Sequence, residues 1–123
     1  MAFLDIDPVT YGHTLVVPRR HSRTILDIDP EDAEAVMRSG LHVARHLQQA
    51  LRPDGFSLFQ ANEPAGWQSV FHFHLHVIPR WTTDALTPPW RPGALSGLRL
   101  DEVAARVGAQ AAPTMPATDT NSQ

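Results

Sequence analysis

The sequence contains no cysteine, so neither a disulfide framework nor a thiolate zinc site can be built from it. Long apolar runs are missing too, and no stretch approaches the roughly 20 apolar residues that cross a bilayer. The opening residues, Met1-Ala2-Phe3-Leu4-Asp5-Ile6-Asp7, reach an acid before an apolar signal region can form. The expectation is a cytoplasmic protein, neither secreted nor held in a membrane. Basic charge is scarce as well. The net charge is −3, whereas a general nucleic-acid binder shows a basic face that neutralises phosphates. Arg19, Arg20, His21 and Arg23 form the only basic cluster and read as a solvated turn after a strand. A length of 123 residues suits one domain with a real core.

What the sequence does hold is a concentration of histidine. In Phe71-His72-Phe73-His74-Leu75-His76-Val77-Ile78, the histidines fall at alternate positions. Successive side chains of an extended chain point to opposite faces, so His72, His74 and His76 share one face and Phe71, Phe73, Leu75 and Val77 the other. Any polar residue could fill the solvent side of a half-buried strand. Neutral imidazoles in register offer nucleophiles, proton carriers or metal ligands near neutral pH, and they mark this strand as the functional one.

The remaining elements organise around it. Phe3 to Ile6 reads as a strand end broken by Pro8 and Gly12, and His13 to Pro18 as a second strand rich in β-branched residues. Asp29-Pro30-Glu31-Asp32 reads as a helix start, with an aspartate able to accept from the free N–H groups and acids in the positive first turn. Ala33, Val36, Met37, Gly40, Leu41, Ala44, Leu47 and Leu51 then give an apolar stripe that ends at Pro53-Asp54-Gly55. His42 and His46 lie one turn apart on this helix without a third ligand at matching spacing and read as surface or packing residues. Phe56 to Ala61 is the next strand, and residues 62–69 form a Gly- and Pro-punctuated loop that leads into the histidines. Pro88-Pro89-Trp90-Arg91-Pro92 reads as an extended connector, and Arg99 to Val107 as a short helix. The predicted organisation is one domain over residues 1–108 and a disordered tail over 109–123.

Two chemistries suit the histidine strand. Metal binding needs further ligands, of which His13 could supply one. Covalent catalysis needs one imidazole to attack phosphorus while its neighbours supply donors above and below it, with Asn62, Gln68 and Ser69 adding neutral donors. The pieces fit phosphoryl or nucleotidyl transfer.

The segment His72-Phe73-His74-Leu75-His76-Val77-Ile78-Pro79 resembles the histidine triad signature of the HIT superfamily of nucleotide hydrolases and transferases. Gly66-Trp67-Gln68-Ser69-Val70, Asn62, Ala2-Phe3-Leu4-Asp5-Ile6 and Gly12 to His21 resemble other segments of that family in the right order. The resemblance implies an α+β domain, an antiparallel sheet of about five strands with one long helix packed on it, paired as a homodimer. It implies that His74 is the nucleophile on the α-phosphate of an adenosine phosphoramidate or dinucleoside polyphosphate, with release of a nucleoside monophosphate and no metal or other cofactor. By the same resemblance His72 and His76 orient His74 and contact phosphate, and His13 supports them. Asn62, Gln68 and Ser69 bind phosphate or leaving group, Asp5 holds the ribose hydroxyls, and Phe3, Leu4 and Ile6 lie beside the base.

Family members usually carry some twenty or more residues before the segment that starts here at Ala2, and Trp67 stands where a small residue or glycine is usual. Either this start lies inside a longer chain, or the protein is truly truncated, which leaves an exposed sheet edge and a half-open base site. The rival reading is a truncated, weakly active or inactive nucleotide-binding module. Pro79-Arg80 is reminiscent of branches acting on dinucleoside polyphosphates, whereas Gln68-Ser69 also suits phosphoramidate hydrolases.

Overall fold

The computed structural model describes residues 1–93, 97 and 99–109, so residues 110–123 of the predicted tail lie outside the described residues. The chain divides into two units, Met1–Leu86 and Thr87–Gln123. The first unit holds β1 (Ala2–Leu4), β2 (Thr14–Val16), α1 (Pro30–Leu51), β3 (Gly55–Phe59) and β4 (Leu75–Arg80). In the second, α2 spans Leu100–Gly108 with Asp101 and Glu102 in its first turn, close to the helix predicted from Arg99. Among the described residues no helix is long and apolar enough to cross a membrane.

The strands form one antiparallel sheet in the order β1-β2-β4-β3. Four strands are therefore present among the described residues where the resemblance implied about five; the sequence itself had offered four. The alternation read at the histidines is real, with Phe73, Leu75 and Val77 buried and His72, His74 and His76 half-buried. Sheet pairing, however, begins only at Leu75, opposite Val16. Continued in register, the ladder would set Pro18 against Phe73, and proline has no N–H to donate. The Phe73 N–H donates to the Ser22 carbonyl instead, at 2.6 Å. Phe71 leaves the buried face altogether and is 40% exposed. At the other end Pro79 is tolerated in a central strand because β2 pairs with β4 only over Leu75–Val77, which leaves that flank without a ladder bond to break.

Helix α1 covers the back of the sheet. Val36 and Leu47 join Val16, Phe73, Leu75 and Val77 in the core, flanked by Ile28, Val43, Ala44, Leu51 and Phe56. Gly40 sets the approach: a Cβ there would lie 3.0 Å from Leu75 Cδ2, so the missing side chain lets the helix settle against β4. Met37 and Leu41, read as part of the buried stripe, remain 55% and 46% exposed because they lie on its outer flank. Asp29 precedes the helix but its side chain makes no capping bond. Arg20 takes that carboxylate at 3.0 Å and Asp32 at 3.1 Å, tying the end of the β2 segment to the start of α1. Arg52 closes the helix in the left-handed region, one residue before the predicted Pro53.

Candidate active site

The front of the sheet carries the histidines, and backbone groups order their protons. The Val9 N–H donates to His13 Nδ1 at 3.2 Å, so neutral His13 carries its hydrogen on Nε2. His13 Nε2 lies 2.8 Å from His76 Nδ1 and donates to it. His76 then bears its own hydrogen on Nε2, free to donate to a ligand in front of the sheet. Burial holds His13 below the ordinary histidine pKa, with Asp5 opposing. His76 is pulled down to about 4, first by burial and then by His74 and His13. Both rings are neutral near neutral pH.

His74 is set by a different contact. Its Nδ1 lies 2.7 Å from the carbonyl of His72, an acceptor only, so Nδ1 carries the hydrogen and Nε2 the lone pair. The His74 and His76 rings meet edge to face at 4.9 Å. A ring with a free nitrogen lone pair thus meets a ring with an N–H donor, a pairing suited to attack on phosphorus with charge developing on its oxygens. His72, at the outer end of the row, meets His21 with 2.9 Å between their Nδ1 atoms.

An apolar cup of about 270 Å³ opens beside the row, lined by Phe3, Leu15, Val17, Val70, His72 and His74. Phe3 is the one predicted base contact that lines it. Leu4 is 65% exposed and borders a separate groove with His42 and His46, while Ile6 is wholly exposed. Asp5 stands at the foot of the row, its Oδ2 3.7 Å from His13 Nε2 and its Oδ1 accepting the Asp7 N–H at 2.8 Å. Asp5, His13 and His76 each bring a ligand-type atom within 4.8 Å of the others. The His13 and His76 nitrogens in this cluster are already donor and acceptor to each other.

The loop before the histidines is built differently from the sequence reading. Gln68 is buried, its Oε1 accepting the Glu63 N–H and its Nε2 donating to the Arg23 carbonyl, both at 2.7 Å. Asn62 Oδ1 accepts the Ile25 N–H at 2.7 Å, and its amide also pairs with Gln60. These two amides hold the loop, whereas Ser69 is exposed. The segment they grip, residues 22–27, includes Arg23 of the basic cluster that reads as a solvated turn. Its Arg23 donates to both Glu63 carboxylate oxygens, at 2.7 and 2.9 Å, and lies 4.3 Å above the Phe71 ring. A lone arginine in a basic cluster gives no sequence signal for a partner forty positions away. Phe59 was also missed: it stands opposite His76 in the β3–β4 register, ring centroids 5.8 Å apart. The guanidinium of Arg80, considered in connection with polyphosphate substrates, is engaged by Asp84 at 2.7 and 2.9 Å and by Ser57 at 3.0 Å.

Comparison with known proteins matches a family model described as HIT domain to residues 1–83. The chain is 39% identical over 90 residues to an uncharacterized HIT-like protein of Borreliella burgdorferi, covering 68% of this chain and 62% of that protein. It is 30% identical over 109 residues to the adenylylsulfatase HINT3 of Arabidopsis thaliana, covering 87% of this chain and 54% of that one. A solved structure of a HIT family member from Bacillus subtilis superposes with a TM-score of 0.80 at 31% identity, covering 91% of this chain and 82% of the other. The chain thus spans less than two thirds of the length of both relatives compared by sequence.

Proposed function

Because this chain belongs to the HIT domain family, we propose that it is a nucleotide hydrolase or transferase acting at the α-phosphate of nucleoside phosphate derivatives, adenosine phosphoramidates or dinucleoside polyphosphates, through a nucleotidyl-His74 intermediate. The observation that carries the reading is the proton order at His74. With Nδ1–H bonded to the His72 carbonyl at 2.7 Å, the free lone pair is on Nε2 of a ring that meets His76 edge to face and lines the apolar cup. The adenylyl group in the name of the Arabidopsis relative supports an adenosine nucleotide.

In this scheme the base enters the cup against Phe3 and the ribose hydroxyls meet Asp5. His74 Nε2 attacks the α-phosphorus, the N–P bond forms, and the bond to the leaving group breaks with its electron pair. The departing group takes its proton from solvent water, which is left as hydroxide. In the second half that hydroxide adds to phosphorus, the N–P pair returns to Nε2, and nucleoside monophosphate is released. His76 and His72 donate to the phosphoryl oxygens, His13 keeps His76 in the donating tautomer, and Ser69 is free to reach the leaving group. Asn62 and Gln68 act through the loop they hold. No step needs a metal.

Intact-protein mass spectrometry after rapid non-acid quench with an adenosine phosphoramidate, run beside AMP release, tests this. Wild type should show an AMP adduct and turnover. His74→Ala should remain folded, show no adduct and lose roughly a thousandfold or more in rate. Undiminished turnover in that variant overturns the scheme, and tight binding with neither adduct nor release in wild type favours a nucleotide-binding module.

A further inference from the structure

Trp67 occupies a position that its backbone disfavours. It follows the 3₁₀ turn Pro64–Gly66 with φ 74° and ψ 20°, a left-handed conformation that suits glycine and costs any residue with a Cβ. An indole held there for packing alone would be covered, yet Trp67 is 56% exposed. It lies nearly parallel to Phe59, 15° between planes and 6.3 Å between centroids, so one side of the indole is backed by a ring and much of the remainder faces solvent. Phe59 in turn stands against His76. The aromatic pair is therefore joined to the donor end of the histidine row, and Trp67 immediately precedes Gln68 and Ser69 in sequence. The apolar cup, by contrast, is formed by Phe3 of β1, Leu15 of β2, Val17 just after it, and residues between Val70 and His74. The histidine row thus borders two apolar surfaces, the concave cup at His72 and His74 and the flat pair reached through His76.

We propose that Trp67, backed by Phe59, is the specificity element for the leaving group and stacks a planar aromatic ring carried by it. This rests on the nucleotidyl-transfer reading above and deepens it. With the nucleoside base in the cup, the group that departs past His76 meets the flat indole. Planarity is what the surface selects, because an offset-stacked ring gains attraction beyond its buried area that a puckered ring of the same bulk does not. A polar side chain at position 67 would confer no such preference.

The test compares two adenosine phosphoramidates, one of phenethylamine and one of cyclohexylethylamine, which match in length, attachment and reacting bond and differ in flatness. Wild type should favour the phenethyl compound in kcat/KM by about fivefold. Trp67→Phe should retain most of that ratio, and Trp67→Leu should bring it close to one. Both variants keep a Cβ at the left-handed position, so the backbone cost is matched between them. An unchanged ratio in Trp67→Leu overturns the proposal. A second arm separates it from the catalytic reading: dissociation constants of both compounds are measured by calorimetry in the His74→Ala background, with and without Trp67→Leu. If wild type turns over neither compound but the affinity ratio is present and vanishes with Trp67→Leu, the stacking role stands and the covalent scheme falls. Equal or undetectable affinities overturn the stacking role whatever the turnover.

Discussion

The backbone N–H of Val9 determines, through His13, where His76 keeps its proton, and this gives the site a defined response to acid. In the unfolded chain His76 takes up a proton near its ordinary value of 6.5, but in the fold only near 4. Between those values the unfolded chain binds more protons, so the stabilisation is full above about pH 6.5 and drains as pH falls toward 4. His13 shifts in the same direction. The expected outcome in thermal melts is that the stability gap between wild type and His76→Asn narrows as pH is lowered across this window, and a constant gap would contradict it. The alternation of His72, His74 and His76 made their shared face legible from the sequence. Which ring nitrogen of His74 and His76 carries the hydrogen was not, since it depends on the His72 carbonyl and on Val9, backbone groups that look alike in every sequence. Gln68 illustrates the converse, for it reads as a free donor until Glu63 and the Arg23 carbonyl are found at its two ends.

The strand that presents the histidines is only as well placed as the helix behind it. Gly40 brings α1 against Leu75, whose neighbours in sequence are His74 and His76. Gly40→Leu should force the helix outward and destabilise the fold by about 1–3 kcal/mol through overpacking; denaturant titration measures this, and an unchanged midpoint would show that the helix can slide without cost. The elements themselves were largely readable, because apolar spacing of three and four marks α1 and alternation marks β4. Their ends were less so. Asp29 had the chemistry of a cap, but Arg20, nine positions earlier, claims its carboxylate; the histidine strand starts its pairing late because Pro18 cannot donate. The grip of residues 22–27 on the loop was invisible for the same reason as its Arg23–Glu63 pair: the contacts are long-range and polar, and periodicity reports neither.

Two apolar features of the first unit, Leu58 on the sheet-edge strand β3 and Met37 with Leu41 on α1, remain about half exposed. They support the proposal that the protein pairs with a second copy of itself. Sedimentation at micromolar concentration should find a dimer, and Met37→Glu with Leu41→Glu should shift it to monomer; a monomeric wild type would end that proposal. The assembled site also has a history within each chain. His13 and His76 are separated by 63 positions, so the bond between them forms only when β2 closes a long loop onto β4, an entropic cost paid late compared with the helix or the β3–β4 hairpin. A chain holding those local elements alone would already own His74 and the rest of the row, but not the proton order that makes them different from one another. The proton order of this site is thus a property of the finished topology, and a nascent or partly opened chain carries the histidines without it.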